Sequence, residues 1–321
     1  MWNFLKQSLT REGPSLNAYN DLHPLFEEPG LQNATSDLPM DCLLVIDSGY
    51  SYTTITPCFQ GRPIQRAVRR MDFGGKHLTN LLKEVVSVRH FDLHQDSKIV
   101  NDLKEDTMFV SADTSSDLEK TWKGNKTSKL KSVDAMDVDV AEASQQLLLD
   151  YVLPDGVSVT RGYPRPYDSS KEALKKRKQG LGINDEIVMT VGNERFMVPE
   201  IIFSPGDIGS SQPGLIETVV QSLSKLPPLV QATMCANILV IGGSACIPGF
   251  VERVQTELRT RIKSEWPVRV RKLENPVTST WLGGARLASM HRISLQKYAV
   301  TSEQYAEFGS TWVSRHFGGV S

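Results

Sequence analysis

Cysteine is scarce: Cys42, Cys58, Cys235 and Cys246 are the only four in 321 residues. They are widely separated and form no ligand-like pair, which argues against a disulfide framework and a thiolate metal centre. They read as buried reduced thiols of a cytosolic or nuclear protein. Long apolar runs are missing too. No stretch approaches a membrane span, and Met1-Trp2-Asn3-Phe4-Leu5-Lys6 lacks the core of an export signal, so no membrane partner is expected. Neither charge is in surplus: 36 Lys plus Arg oppose 37 Asp plus Glu. The field of the whole chain therefore gives no reason to expect strong DNA binding. Of the histidines (His23, His77, His90, His94, His291 and His316), only His90 and His94 share helical i, i+4 spacing, and no third ligand lies near them. No Ser-His-Asp or Cys-His set can be placed together.

What remains is ordinary globular material, 40% hydrophobic and 23% charged, sized for one large or two medium domains. Residues 1–40 are rich in Pro, Asn, Asp and Ser and read as irregular. From Asp41 the pattern predicts a strand, a turn, a second strand over 51–59, and a helix from Gly75 towards Val88. In that helix Leu78, Leu81, Leu82, Val85 and Val86 form one apolar face. A second helix is predicted over 97–110. Lys120 to Ser144 is polar, with a basic half and an acidic half, and reads as a flexible insertion. Short strands are expected at 147–152, 158–160 and 186–190. Two readings stand for Lys175-Lys176-Arg177-Lys178: a solvated helix face, or an import signal. Helices follow at 213–226 and from Phe250, where Val251, Val254, Leu258 and Ile262 continue an apolar stripe.

Two glycine turns punctuate this alternation. Each follows a short apolar strand: Asp47-Ser48-Gly49-Tyr50-Ser51 after Leu43–Ile46, and Gly242-Gly243-Ser244 after Ile238–Ile241. A turn without Cβ atoms lets a phosphate or ribose approach the backbone. Asp47 stands where a carboxylate could hold a water of hydrated Mg²⁺, an ion that takes few protein ligands. Taken singly, each turn also fits an ordinary tight turn, the commoner case.

Together the turns carry a resemblance. Asp47-Ser48-Gly49 resembles the second phosphate loop of actin, and Gly242-Gly243-Ser244 its adenosine loop. The segment Met71 to Thr79 is similar to the actin stretch entering a helix of its second half. Lys104-Glu105 falls where actin has a Lys-Glu pair near the nucleoside. Asn193-Glu194-Arg195-Phe196 with Pro199-Glu200, and Trp281-Leu282-Gly283-Gly284, continue the match from residue 41 to about 317. Within the superfamily Asp47 to Ser51, Gly74-Gly75-Lys76, Asp150 to Asp155 and Ser204 to Gly209 are similar to one nuclear branch, the sixth class of actin-related proteins.

The resemblance implies an α/β fold, the second half of the actin-like (ribonuclease H-like) architecture. Residues 41–110 and 200–285 would form a larger lobe and 111–199 a smaller inserted one carrying the 120–144 insertion. Residues 1–40 would be a remnant of the first half, and 286–321 would pack on that half. The implied ligand is ATP or ADP with Mg²⁺, held weakly or not at all. Its implied contacts are Asp47 (also towards the metal), Gly49, Tyr50, Ser51, Gly75, Lys104, Glu105, Gly242, Gly243 and Ser244.

The same resemblance marks what the chemistry lacks. Only one of two opposing phosphate loops is recognisable. Thr54 stands at the position of a water-orienting His, and Arg11 near that of a Gln. Neither replaces an imidazole. Tyr50-Ser51 replaces an Asp-Gly, Ile247 an aromatic beside adenine, and Val277 a Lys. The implied role is a non-catalytic subunit of an SWR-type chromatin-remodelling complex, which exchanges a nucleosomal histone for a variant. Its partners would be the remodelling ATPase and other subunits, with indirect contact to nucleosomes, in the nucleus and also in the cytoplasm. An ATP-using enzyme of the actin, heat-shock chaperone and sugar-kinase superfamily is the alternative. A filament is not expected, because the insertions would disturb longitudinal contacts.

Overall fold

A computed structural model describes residues 42–59, 62–90, 92–127, 147–157, 159–168, 186–290 and 299–317. Nine strands are described in chain order: β1 (Cys42–Ser48), β2 (Thr53–Phe59), β3 (Arg62–Pro63), β4 (Arg69–Met71), β5 (Leu149–Val152), β6 (Tyr163–Pro166), β7 (Val188–Val191), β8 (Ile238–Ile241) and β9 (Val270–Lys272). The described α-helices are α1 (Gly75–Arg89), α2 (Ser97–Thr107), α3 (Thr114–Thr127), α4 (Glu194–Glu200), α5 (Leu215–Leu223), α6 (Pro228–Cys235), α7 (Phe250–Arg261), α8 (Ser279–Met290) and α9 (Ser302–Phe317). The chain divides into two compact units: Met1–Asp72 with Leu215–Cys246 and Val254–Ser321, and Phe73–Gly214 with Ile247–Arg253.

The first unit is built on a mixed sheet of order β3-β2-β1-β8-β9, with β4 also pairing β2. β1 and β2 form an antiparallel hairpin in the register Asp47↔Thr54 and Ser48↔Thr53. β8 joins β1 in parallel, with Asp47 opposite Ile241. The sequence of β8, Ile-Leu-Val-Ile, is apolar at every position, as suits a strand covered on both faces. Leu44, Ile46, Ile55 and Val240 are fully buried. Each such side chain contributes about 1.5–3 kcal/mol. Helix α5 is held to this unit by Ser222, whose hydroxyl donates to the Ala67 carbonyl at 2.6 Å. Helix α9 is broken at Gly309, where φ is 72°. Phe308, Trp312 and His316 stack in succession along it, and Tyr305 and Phe308 are about half exposed.

The second unit contains a three-stranded antiparallel sheet, order β6-β5-β7. Pro164 and Pro166 lie in β6, an edge strand, where a missing N–H is tolerated. Tyr151 of the central strand is fully buried. Its ring lies so close to Gly162 that a Cβ there would meet it at 2.5 Å. Helix α1 buries Leu78, Leu82 and Val86, spaced one turn apart. The guanidinium of Arg195 donates to the carbonyls of Thr107 at 2.9 Å and Leu147 at 2.7 Å, closing α4 onto two other segments.

Several expectations need correction. The division puts residues 73–110 and 200–214 with the smaller sheet, so α1 and α2 do not belong to the larger lobe. The polar insertion begins inside a helix, because α3 runs to Thr127. Residues 128–144 and the Lys175–Lys178 run lie outside the described residues. No strand forms at Val159 and Thr160. The Asp155 carboxylate accepts from the N–H groups of Val157 and Val159, a local turn that competes with strand pairing. The strand comes later, as β6. The helix over 97–110 stops at Thr107, and Phe109 and Val110 instead donate to Arg195 and Pro248 carbonyls. Cys42, Cys58 and Cys235 are buried as read, but Cys246 is exposed. The His90/His94 spacing is not helical, since His90 ends α1 and His94 pairs with Asp92 at 2.8 Å. Among the described residues no helix is long and apolar enough to cross a membrane.

Candidate functional site

Parallel pairing of β1 with β8 brings the two glycine turns side by side at the strands' carboxyl ends, the usual ligand position in α/β sheets. The first turn is closed by the Gly49 N–H to the Tyr52 carbonyl at 3.2 Å. Beneath it the buried hydroxyls of Ser48 and Thr53 share a 3.0 Å hydrogen bond. The second turn holds Gly242 at φ 93°. A Cβ on Gly242 would lie 2.3 Å from the Ser48 carbonyl oxygen and 3.0 Å from Asp47 Oδ1. The turns therefore touch through bare backbone, and glycine at 242 is a packing requirement. Its N–H donates to the Pro276 carbonyl at 3.0 Å.

The remaining glycines behave differently. A Cβ on Gly243 would meet nothing within 4 Å. At Gly49 it would meet only the Tyr52 carbonyl oxygen at 3.6 Å and Asp47 Oδ1 at 3.9 Å, ordinary contacts. Neither position needs glycine for packing. Beside them Ser244 is buried, and its hydroxyl finds no hydrogen-bond partner among the described residues. An unpaired buried hydroxyl costs free energy until something polar meets it. A bare turn in open space next to an unsatisfied hydroxyl fits a ribose or phosphate oxygen. Burial raises the Asp47 carboxyl above its usual 3.8. Among the described residues no three His, Cys, Asp or Glu side chains gather to hold a metal ion, so Asp47 could bind Mg²⁺ only with water completing the shell. Tyr50 is 61% exposed, and Ser51 is exposed beside it.

Gly75, Lys104 and Glu105 form a second cluster within the second unit. The Lys104 ammonium donates to Asn101 Oδ1 at 2.7 Å, Thr79 Oγ1 at 3.0 Å and the Gly75 carbonyl at 3.4 Å. Lys104 thereby ties the start of α1 to α2. Burial lowers its pKa, opposed by the charge of Glu105. Glu105 in turn accepts from Asn101 Nδ2 at 2.8 Å. Sequence reading missed Thr79 and Asn101 as partners of this lysine. The available signal was spacing: Asn101 precedes Lys104 by three residues, and Thr79 follows Gly75 by four, so each pair shares a helix face. It also missed the Pro276 carbonyl, for which no sequence signal exists.

The fold and its paired turns define a class, and comparison agrees: the family model for actin matches residues 6–318. The chain belongs to the actin family. It is an actin-related protein, 46% identical to the actin-like protein arp6 of Aspergillus fumigatus over 96% of this chain and 64% of that protein. It is 42% identical to actin-related protein 6 of Neurospora crassa over 95% of this chain and 65% of the relative. With actin-related protein 6 of Oryza sativa subsp. indica the identity is 29%, over 99% of this chain and 81% of the relative. The chain thus spans just under two thirds of the length of these two fungal relatives.

Proposed function

We propose that this chain acts as a non-catalytic scaffold subunit of an SWR-type chromatin-remodelling complex, carrying a degenerate nucleotide site. The observation that carries the non-catalytic part is the β1–β2 register. Directly across from Asp47 stands Thr54, where the family resemblance expects an imidazole. A hydroxyl cannot accept and hold a water proton near neutral pH as an imidazole does. Phosphoryl transfer depends on positioning and on electrostatic clamping, so a hairpin without that base gives no useful turnover. Membership of the actin family and similarity to proteins named actin-related protein 6 support the subunit reading.

The fitted ligand is ATP or ADP with Mg²⁺, bound weakly as a structural element. Asp47, Gly49, Gly243 and Ser244 would hold it, with Tyr50 and Ser51 at the turn's exposed tip. The family resemblance adds Gly75, Lys104 and Glu105 as expected contacts. When bound, the nucleotide supplies phosphate charge and sugar hydroxyls that answer the unpaired Ser244 hydroxyl. Two measurements test the proposal. Purified protein with ATP and Mg²⁺ is expected to release no phosphate above background, and steady release abolished by Asp47→Ala would refute the non-catalytic reading. Affinity purification of the tagged chain from nuclear extract is expected to recover a remodelling ATPase in stoichiometric amount, and recovery of none would refute the scaffold reading.

A further inference from the structure

Every proton of the Lys104 ammonium already has a partner. An ammonium carries three donors and no acceptor. Here they meet Asn101 Oδ1 at 2.7 Å, Thr79 Oγ1 at 3.0 Å and the Gly75 carbonyl at 3.4 Å. The residue is only 8% exposed, so a ligand could reach the charge only by displacing one of these oxygens. Glu105, the next residue, is exposed. Its Oε1 accepts from Asn101 Nδ2 at 2.8 Å, and Oε2 meets no hydrogen-bond donor among the described residues. The whole cluster lies within the second unit.

Asn101 stands between the two charges, and its amide has a direction. Oxygen and nitrogen of an amide differ little in shape, so chemistry alone decides which way round it sits. Lys104 only donates and must meet Oδ1, which leaves Nδ2 for a carboxylate that only accepts. Thr79 keeps the same polarity, since its hydroxyl donates to the Gly75 carbonyl at 3.0 Å while accepting from Lys104. The bonds to Thr79 and Gly75 tie α1 to α2. The link from Asn101 to Glu105 adds nothing to that tie, because both residues belong to α2. We propose that Asn101 is a positioning residue of the ligand site: its amide, oriented by Lys104, holds the Glu105 carboxylate for a hydrogen-bond donor of the nucleotide, and Lys104 does not touch the ligand. This rests on the nucleotide reading and narrows it, turning one expected contact into a support.

The test is a double-mutant cycle on the full chain, read as MgADP affinity by calorimetry. Asn101→Asp keeps an oxygen for Lys104 but sets a like charge against Glu105. It should leave the unfolding midpoint at or above that of the parent, yet weaken MgADP binding about tenfold, the worth of one hydrogen bond to a charged group. Glu105→Ala should weaken binding by a similar factor, and adding Asn101→Asp to it should cost nothing further, because the two act as a unit. Lys104→Met should also be silent towards MgADP in the Glu105→Ala background. Parent-like binding by Asn101→Asp, or independent losses in either double variant, overturns the proposal. A readout without ligand follows the relay itself. In protein labelled with heavy nitrogen at asparagine, the Asn101 side-chain amide should exchange its protons more slowly in the parent than in Glu105→Ala. Equal exchange in the two sinks the relay and leaves the nucleotide reading standing. No MgADP binding by the parent, with slow exchange intact, sinks the nucleotide reading and the ligand role of Asn101 with it.

Discussion

Replacing Gly242 and Gly243 by alanine, one at a time, separates a glycine demanded by packing from one left bare for a ligand. At Gly242 two costs combine. A φ of 93° is left-handed territory, disfavoured for an alanine by roughly 1–2 kcal/mol. The added methyl would also sit 2.3 Å from the Ser48 carbonyl oxygen, about 1 Å inside ordinary contact. That carbonyl cannot yield freely, because Ser48 is held by its ladder pairing with Thr53 and by the hydroxyl pair beneath it. Overpacking of this kind costs about 1–3 kcal/mol. The expected loss for Gly242→Ala is therefore about 2–5 kcal/mol, a large part of a domain's net stability. With a urea slope of about 2 kcal/mol per molar, the unfolding midpoint should fall by about 1–2.5 M. Gly243→Ala meets no neighbour and should leave the midpoint within about 0.5 kcal/mol of the parent, or raise it. The second variant should instead lose the thermal protection that MgADP gives, since the methyl occupies the ligand's approach. Equal destabilisation by both substitutions, or none by Gly242→Ala, would refute the close apposition of the turns.

The pair Arg253–Glu200, 2.9 Å apart with side chains only 12% and 7% exposed, gives a second expectation. Arg253→Ala should cost about 3–5 kcal/mol by stranding a buried carboxylate, and adding Glu200→Gln should recover part of that loss in a denaturation cycle. A third concerns pH. Because burial raises the Asp47 pKa, the native state binds this proton more tightly than the unfolded chain. Its stabilising effect is complete below 3.8 and is lost as pH rises through the folded value. Asp47→Asn should thus be more stable than the parent at neutral pH, with the difference vanishing in acid. A variant less stable at pH 7 in the absence of Mg²⁺ would contradict a destabilising, half-buried carboxylate.

Patterning in the sequence located β1, β2, α1 and the core of α7, because burial on one face imposes a period that composition reveals. It also picked out both glycine turns. It could not say that they meet, since β1–β8 pairing is a long-range event without a local signal. Strand β6 was missed because Pro164 and Pro166 argue against a strand interior, and only the edge position permits them. Helix α4 was missed for similar reasons, being short and containing Pro199. Lys104 and Gly75 were named only as separate ligand contacts, because the hydrogen bonds of Lys104 to Gly75, Thr79 and Asn101 depend on how α1 and α2 pack.

The parallel contact between β1 and β8 also has a kinetic side. Everything between Ser48 and Ile238, including the whole of the smaller sheet, is a loop that must close before the turns can touch. Lengthening that loop is cheap at equilibrium, since each doubling adds only about 0.6 kcal/mol of closure entropy. Polar expansions between residues 73 and 214 are therefore tolerated without disturbing the turns. The search for such a distant partner is slow, however, because the entropy is spent before the contact repays it. The apposed turns should be among the last features to mature after synthesis, and recovery of nucleotide-dependent protection should lag recovery of the β1–β2 hairpin during refolding.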